Sequence, residues 1–137
     1  MGTRAVYTFK DEHKEHHVFK HWDGYPEGAI HFIKNGLKLA WPLPRFEACE
    51  FGGSFIAANK TKPGGGDFRL ANHWKDFGDL DYRYEISTRE GKLFLRIFQR
   101  DWEHTRKNNY NNRTIKYKNI HNDFIDKLEK KYPCDWG

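Results

Sequence analysis

Residues 82–98 constrain this chain's fold more than any other stretch. Tyr82-Arg83-Tyr84-Glu85-Ile86-Ser87 alternates with a period of two, Arg89-Glu90-Gly91-Lys92 supplies a turn, and Leu93-Phe94-Leu95-Arg96-Ile97-Phe98 returns as a second strand. The alternation puts Tyr82, Tyr84 and Ile86 on one face and Arg83 and Glu85 on the other. That is the pattern of an antiparallel hairpin with one buried face.

A second hairpin is predicted near the start. Thr3 to Lys10 alternates Ala5, Tyr7 and Phe9 against Arg4, Val6 and Thr8, and a charged turn leads into His17 to Trp22. From Glu27 the period becomes helical, with Ile30, Ile33 and Leu37 on one face and Gly36 as a weak point. Trp41-Pro42-Leu43-Pro44 forms a rigid extended connector. A second helix is predicted from Arg45 to Lys60 with two apolar stripes, so its second stripe packs on the first helix or on another subunit. Lys60 to Asp67 is a flexible loop, Phe68-Arg69-Leu70 a short strand, and Asn72 to Asp81 irregular. Arg100 to Asn112 is polar, Thr114 to Lys118 forms a last strand, and Asn122 or Asp123 caps a final helix that Pro133 ends.

The order β-β-α-α-β-β-β-β-α predicts an α+β fold, an antiparallel β-sheet with helices packed mainly on one face. At 137 residues, the chain can bury about two-thirds of its extended surface. A single domain over residues 1–137 is expected, with a peripheral tail at 133–137. The 11 Phe, 7 Tyr and 5 Trp supply core that a disordered chain lacks, despite a mean hydropathy of −0.97. No apolar run approaches the roughly 18 residues of a membrane span, and the start carries no secretory signal, so a cytoplasmic protein is expected. Cys49 and Cys134 lack metal or redox spacing; one is expected in the core and one in the tail, without a disulfide.

Three stretches resemble a family of small proteins associated with bacteriophages, prophages and bacterial genomes. They are Gly2-Thr3-Arg4-Ala5, His21-Trp22-Asp23-Gly24-Tyr25-Pro26-Glu27-Gly28, and Trp41-Pro42-Leu43-Pro44-Arg45-Phe46-Glu47-Ala48. The resemblance covers about the first half of the chain and brings no catalytic residues with it. It implies a counter-defence factor acting in the host cytosol.

Several constellations carry chemistry. In the His21 to Gly28 loop, Trp22 or Tyr25 offers a flat face for a base and Asp23 an acceptor; equally, the loop is a strand-to-helix corner. The Lys60 to Asp67 loop can turn backbone N–H groups toward a phosphate with Lys60, Lys62 and Arg69 beside it, though P-loop spacing is absent and a plain connector explains it as well. His13, His16, His17 and His21 are loosely grouped, and only His17 and His21 share a strand face, so no metal is expected. Along the strands, Arg and Lys interleave with aromatics, as in a solvated basic face or in a surface that pairs cations with phosphates. Signatures of hydrolases and metalloproteases are missing, which leaves only a catalytic site assembled in three dimensions. No cofactor is expected.

Three functions follow. The first is a binding protein that sequesters a nucleotide-derived signalling molecule, a cyclic nucleotide or cyclic ADP-ribose-like compound, with Arg4, Trp22, Asp23, Tyr25, Arg45, Lys60, Lys62, Arg69 and Arg83 as ligand contacts. The second is an anti-CRISPR-like inhibitor that binds a host defence protein, with the doubly apolar helix serving either a homo-oligomer or that partner. The third is non-specific nucleic-acid binding. A net charge of +5, spread without a run, is modest for a long polyanion.

Overall fold

The computed structural model describes residues 3–62, 66–107 and 115–134. Strands β1 (Ala5–Lys10) and β2 (Glu15–Lys20) form the first hairpin, followed by helices α1 (Pro26–Leu39) and α2 (Ala48–Asn59). Next come β3 (Phe68–Ala71), a one-turn 3-10 helix at Trp74–Phe77, and the second hairpin, β4 (Tyr82–Arg89) and β5 (Lys92–Arg100). A short α3 (Trp102–Lys107), β6 (Tyr117–Phe124) and α4 (Ile125–Lys131) complete the chain. The strands make one sheet in the order β3-β2-β1-β4-β5-β6.

The fold is the expected α+β arrangement with one departure: the central β1–β4 pair is parallel, while the other four pairs are antiparallel. The reason is topological. β3 pairs antiparallel to β2, so it runs in the direction of β1, and β4 runs that way too. The chain between them must therefore travel back along the sheet. It does so over the face opposite the main helices, where Leu80 packs with Val6 and Phe19, supported by Trp74, Phe77 and Tyr117.

The other face holds the main core. Tyr7 stacks on Tyr84 at 5.1 Å and meets Phe55 of α2 at 4.7 Å, while Phe9 meets Phe51 and Phe55 at 5.7 and 5.3 Å. Of the two apolar stripes expected on α2, the one through Ala48, Phe51 and Phe55 is buried and meets both the sheet and α1, whereas Cys49 and Gly53 of the other are exposed. At the helix crossing, a Cβ on Gly36 would stand 3.0 Å from the Phe55 Cα. Gly36 is where the two helices touch, which explains a residue that weakens a helix taken alone. Asn59, fully buried, bridges them by donating to the Phe32 and Phe55 carbonyls, both at 2.8 Å, and accepting from Asn35 at 3.0 Å.

Several boundaries differ from expectation. α2 begins at Ala48, because Trp41 to Glu47 form the connector that reaches it. The final helix begins at Ile125, because Asn119 to Phe124 extend β6 against β5. Cys49 is exposed on the outer side of α2 and Cys134 is half-buried; both are free thiols, and Cys49 is not the core residue its size suggested. Gly2, Gly64, Gly65, the Asn-rich run at 108–112, Thr114 and the end of the tail at 135–137 lie outside the described residues. Among the described residues no helix is long and apolar enough to cross a membrane.

Candidate ligand cleft

Strand register dictates which polar side chains meet on the second face of the sheet. Across β2, β1, β4, β5 and β6, the paired positions run His17, Thr8, Glu85, Arg96 and Asn122. The adjacent row runs Phe19, Val6, Arg83, Phe98 and Asn119. Glu85 is the hub of this face. Its Oε1 lies 3.4 Å from Lys10 Nζ and 3.8 Å from Arg96 Nη1, and its Oε2 lies 3.7 Å from Arg83 Nη2. Three cations therefore share one carboxylate, with Glu15 contributing a further contact to Lys10 at 3.8 Å. Arg83 is largely covered, between Trp74 at 3.8 Å and Phe98 at 4.8 Å from its guanidinium carbon, and its buried Nε has no hydrogen-bond partner among the described residues. Lys10 and Arg96 are open, at 41% and 43% side-chain exposure.

Those two open cations border a cleft of about 650 Å³ at the turn ends of the two hairpins. This lies within the roughly 300–1,000 Å³ typical of small-molecule sites. Glu85, Ser87, Thr88 and Arg89 line it from the second hairpin, Asp11 to Lys14 from the first, and Pro44, Phe46, Glu47 and Cys49 from the segment entering α2. Phe46 and Pro44 offer flat apolar surface, and Ser87 and Thr88 offer hydroxyls. The formal charge is balanced: Lys10, Lys14, Arg89 and Arg96 against Asp11, Glu12, Glu47 and Glu85.

Asp11 builds the cleft. One carboxylate oxygen accepts from the backbone N–H groups of His13 at 2.8 Å and Lys14 at 2.7 Å, closing the β-turn. The other accepts from Ala48 N–H at 2.8 Å, at the first residue of α2. Glu47, the residue before the helix, makes no side-chain cap, so Asp11 satisfies a helix-terminal donor from across the fold. The Ala48 bond and then the two turn bonds pull the Asp11 carboxyl down to about 2. Sequence spacing gives no sign of a cap supplied from so far along the chain.

The nine ligand contacts expected from sequence are distributed, and none lines this cleft. Arg4 braces the crossing segment, donating to Asp79 at 2.7 Å and to the Phe77 carbonyl at 3.3 Å, while its own backbone N–H binds Asp81. Arg69 pairs with Asp67 through Nε and Nη2 and, like Arg4, stands over Phe19. Lys60 donates to the Gly66 carbonyl at 2.7 Å, and Lys62 is exposed. Arg45 stacks on Trp41 at 3.6 Å. Arg83 reaches the Glu85 hub from beneath.

Trp22, Asp23 and Tyr25 belong to the corner between β2 and α1. Asp23 has φ +57°, and Gly24 donates to the Thr3 carbonyl at 2.9 Å while accepting from the Tyr84 hydroxyl at 2.5 Å. A Cβ at Gly24 would stand 2.7 Å from the Ala5 Cβ, so only glycine fits there. Tyr25 precedes Pro26 at the first turn of α1, where proline is favoured. The loop also covers Lys20, a buried lysine whose ammonium donates to the Trp22 carbonyl at 2.6 Å and lies over Phe32 at 4.3 Å. Burial draws the Lys20 ammonium down to about 8, against the pull of Asp23 and Asp67.

Two further groupings carry titratable side chains. Thr8 Oγ1 lies 2.8 Å from His17 Nδ1, and His17 Nε2 lies 3.4 Å from Glu15. This has the connectivity of a nucleophile, base and orienting acid. Thr8 is only 3% exposed, however, and serves as the direct cross-strand partner of His17. Burial lowers the His17 pKa, opposed by Glu15. A smaller cleft of about 370 Å³ between α1 and α4 is lined by His31, Lys34, Glu129, Tyr132 and Cys134. Its Lys34 is already paired with Asp126 and Glu129. Among the described residues no group of three or more His, Cys, Asp or Glu could hold a metal ion.

No protein-family model, curated protein or solved structure matches this chain. The chemistry of the cleft rests on its own side chains.

Proposed function

We propose that this chain is a binding protein that captures a small phosphate-bearing nucleotide ligand in the cleft between the two hairpin turns. The observation that carries this reading is the pair Lys10 and Arg96. They are open cations on different strands, they share Glu85, and they line one cleft with the apolar Phe46 and Pro44. Lys10 and Arg96 hold phosphate oxygens, Phe46 supports a base, and Ser87 and Thr88 meet sugar or base polar atoms. The equality of cations and carboxylates argues against a long nucleic acid and for a ligand with few charges. With the resemblance to phage-type proteins, capture of a nucleotide-derived defence signal is the role that follows.

The test is to incubate the protein with cyclic mononucleotides, cyclic dinucleotides and cyclic ADP-ribose isomers, remove free ligand, denature, and identify what is released. Wild-type protein and Arg69→Ala release a ligand, whereas Lys10→Ala and Arg96→Ala lose at least about tenfold in affinity, as expected on removing a charge-assisted phosphate contact. Recovery of no ligand at micromolar concentrations, or equal recovery from all four proteins, contradicts the proposal.

A second reading, capture of a host protein, draws on β3. That strand ends the sheet order and carries Leu70 at 77% exposure. Loss of a co-purifying bacterial partner on Leu70→Lys, with nucleotide recovery absent throughout, would favour it.

A further inference from the structure

We infer that Glu85 makes the cleft selective for singly charged phosphodiesters over phosphate monoesters. The inference rests on the cleft being the ligand site and adds the class of phosphate it accepts. Lys10, Arg83 and Arg96 approach Glu85 at 3.4, 3.7 and 3.8 Å. All three contacts are longer than the roughly 2.7–2.9 Å of a tight charge-assisted hydrogen bond. The ammonium and guanidinium groups therefore keep donors for a second anion, since Lys carries three and Arg five.

Glu85 cannot withdraw from such an anion. Its side chain is 13% exposed and is held between cations from β1, β4 and β5. Any phosphate bound by both Lys10 and Arg96 must therefore sit beside a fixed negative charge. A phosphodiester carries one negative charge, whereas a monoester carries about 1.5 to 2 at pH 7. Glu85 weakens the positive potential of the three cations, so the attraction gained by the second charge falls short of the larger cost of desolvating a dianion. The remaining cleft charges, Lys14 and Arg89 against Asp11, Glu12 and Glu47, leave one further negative charge, which acts against a dianion in the same direction. A neutral group at position 85 would remove the repulsion and free Lys10 and Arg96 for a dianion.

The experiment uses probes without a base, so that base recognition plays no part. Dimethyl phosphate and methyl phosphate are titrated into wild-type protein and Glu85→Gln at pH 7.5 and constant ionic strength. Side-chain resonances of Lys10 and Arg96 are followed by NMR. Wild type should bind dimethyl phosphate about tenfold more tightly than methyl phosphate. Glu85→Gln should bring the two within about twofold, chiefly by gaining methyl phosphate affinity. Equal binding or a monoester preference in wild type overturns the selectivity while leaving a phosphate site at the cleft. An unchanged ratio in Glu85→Gln overturns the role of Glu85. If neither probe shifts the Lys10 and Arg96 resonances, the cleft itself is not a phosphate site and both readings fall.

Discussion

Asp11 shows how one side chain can serve fold and site together. Its carboxylate closes the β1–β2 turn and satisfies the first N–H of α2, and both segments wall the cleft. These bonds hold the folded-state carboxyl at about 2, below its ordinary value of 3.8. A group depressed in this way contributes stability that is present above its unfolded value and lost as pH falls through the folded one. Thermal melts of wild type and Asp11→Asn should therefore converge as pH drops from about 4 to 2, with wild type ahead at pH 7. Tyr7 is the opposite case. Its hydroxyl is fully buried without a hydrogen-bond partner among the described residues, and burial pushes its pKa well above the ordinary range. Removing an unsatisfied buried hydroxyl relieves a desolvation cost, so Tyr7→Phe should raise stability by about 1 kcal/mol in urea unfolding. Neither role is visible in the one-dimensional pattern, which marks Tyr7 only as inward-facing and Asp11 only as a turn residue.

At the scale of elements, periodicity finds what is local and misses what depends on a distant partner. The Tyr82 to Phe98 hairpin follows from alternation and a Gly-containing turn, and the structure places Glu90 and Gly91 at that turn. By contrast, Asn119 to Phe124 has no apolar alternation, since its strand character comes from pairing with β5. The parallel β1–β4 pair joins residues more than 70 positions apart, so no local signal announces it. Gly36 offers a test of which influence governs an element. In isolation, Ala is the better helix former by about 1 kcal/mol. Here its Cβ would press on the Phe55 backbone at 3.0 Å and force α1 from α2. Overpacking of this kind costs about 1–3 kcal/mol, so Gly36→Ala should lower stability in chemical denaturation despite its better propensity. An increase would show that the helices tolerate a wider crossing.

For the whole molecule, the basic and aromatic surplus divides between two tasks. Tyr7, Phe9, Phe51, Phe55 and Tyr84 build the helix-side core. Arg4 and Arg100 brace the crossing segment through Asp79, and Arg83 lies beneath Trp74. The Arg-and-Glu face of β4 was legible from alternation, and so was Arg96 among aromatics. Their convergence with Lys10 on Glu85 was not, because it needs the parallel pairing of β1 with β4. The residues favoured from sequence motifs sit at corners and braces, where Gly24, Arg4 and Arg69 have structural partners.

The central claim is that a phosphate-bearing ligand occupies the cleft beside Glu85. Its most direct test is a crystal structure of the protein with whichever nucleotide the capture experiment releases. The account predicts a phosphate oxygen within hydrogen-bonding distance of both Lys10 Nζ and an Arg96 guanidinium nitrogen, with the base against Phe46. A phosphate held instead by Lys60, Lys62 or Arg69, with the cleft unoccupied, would contradict it.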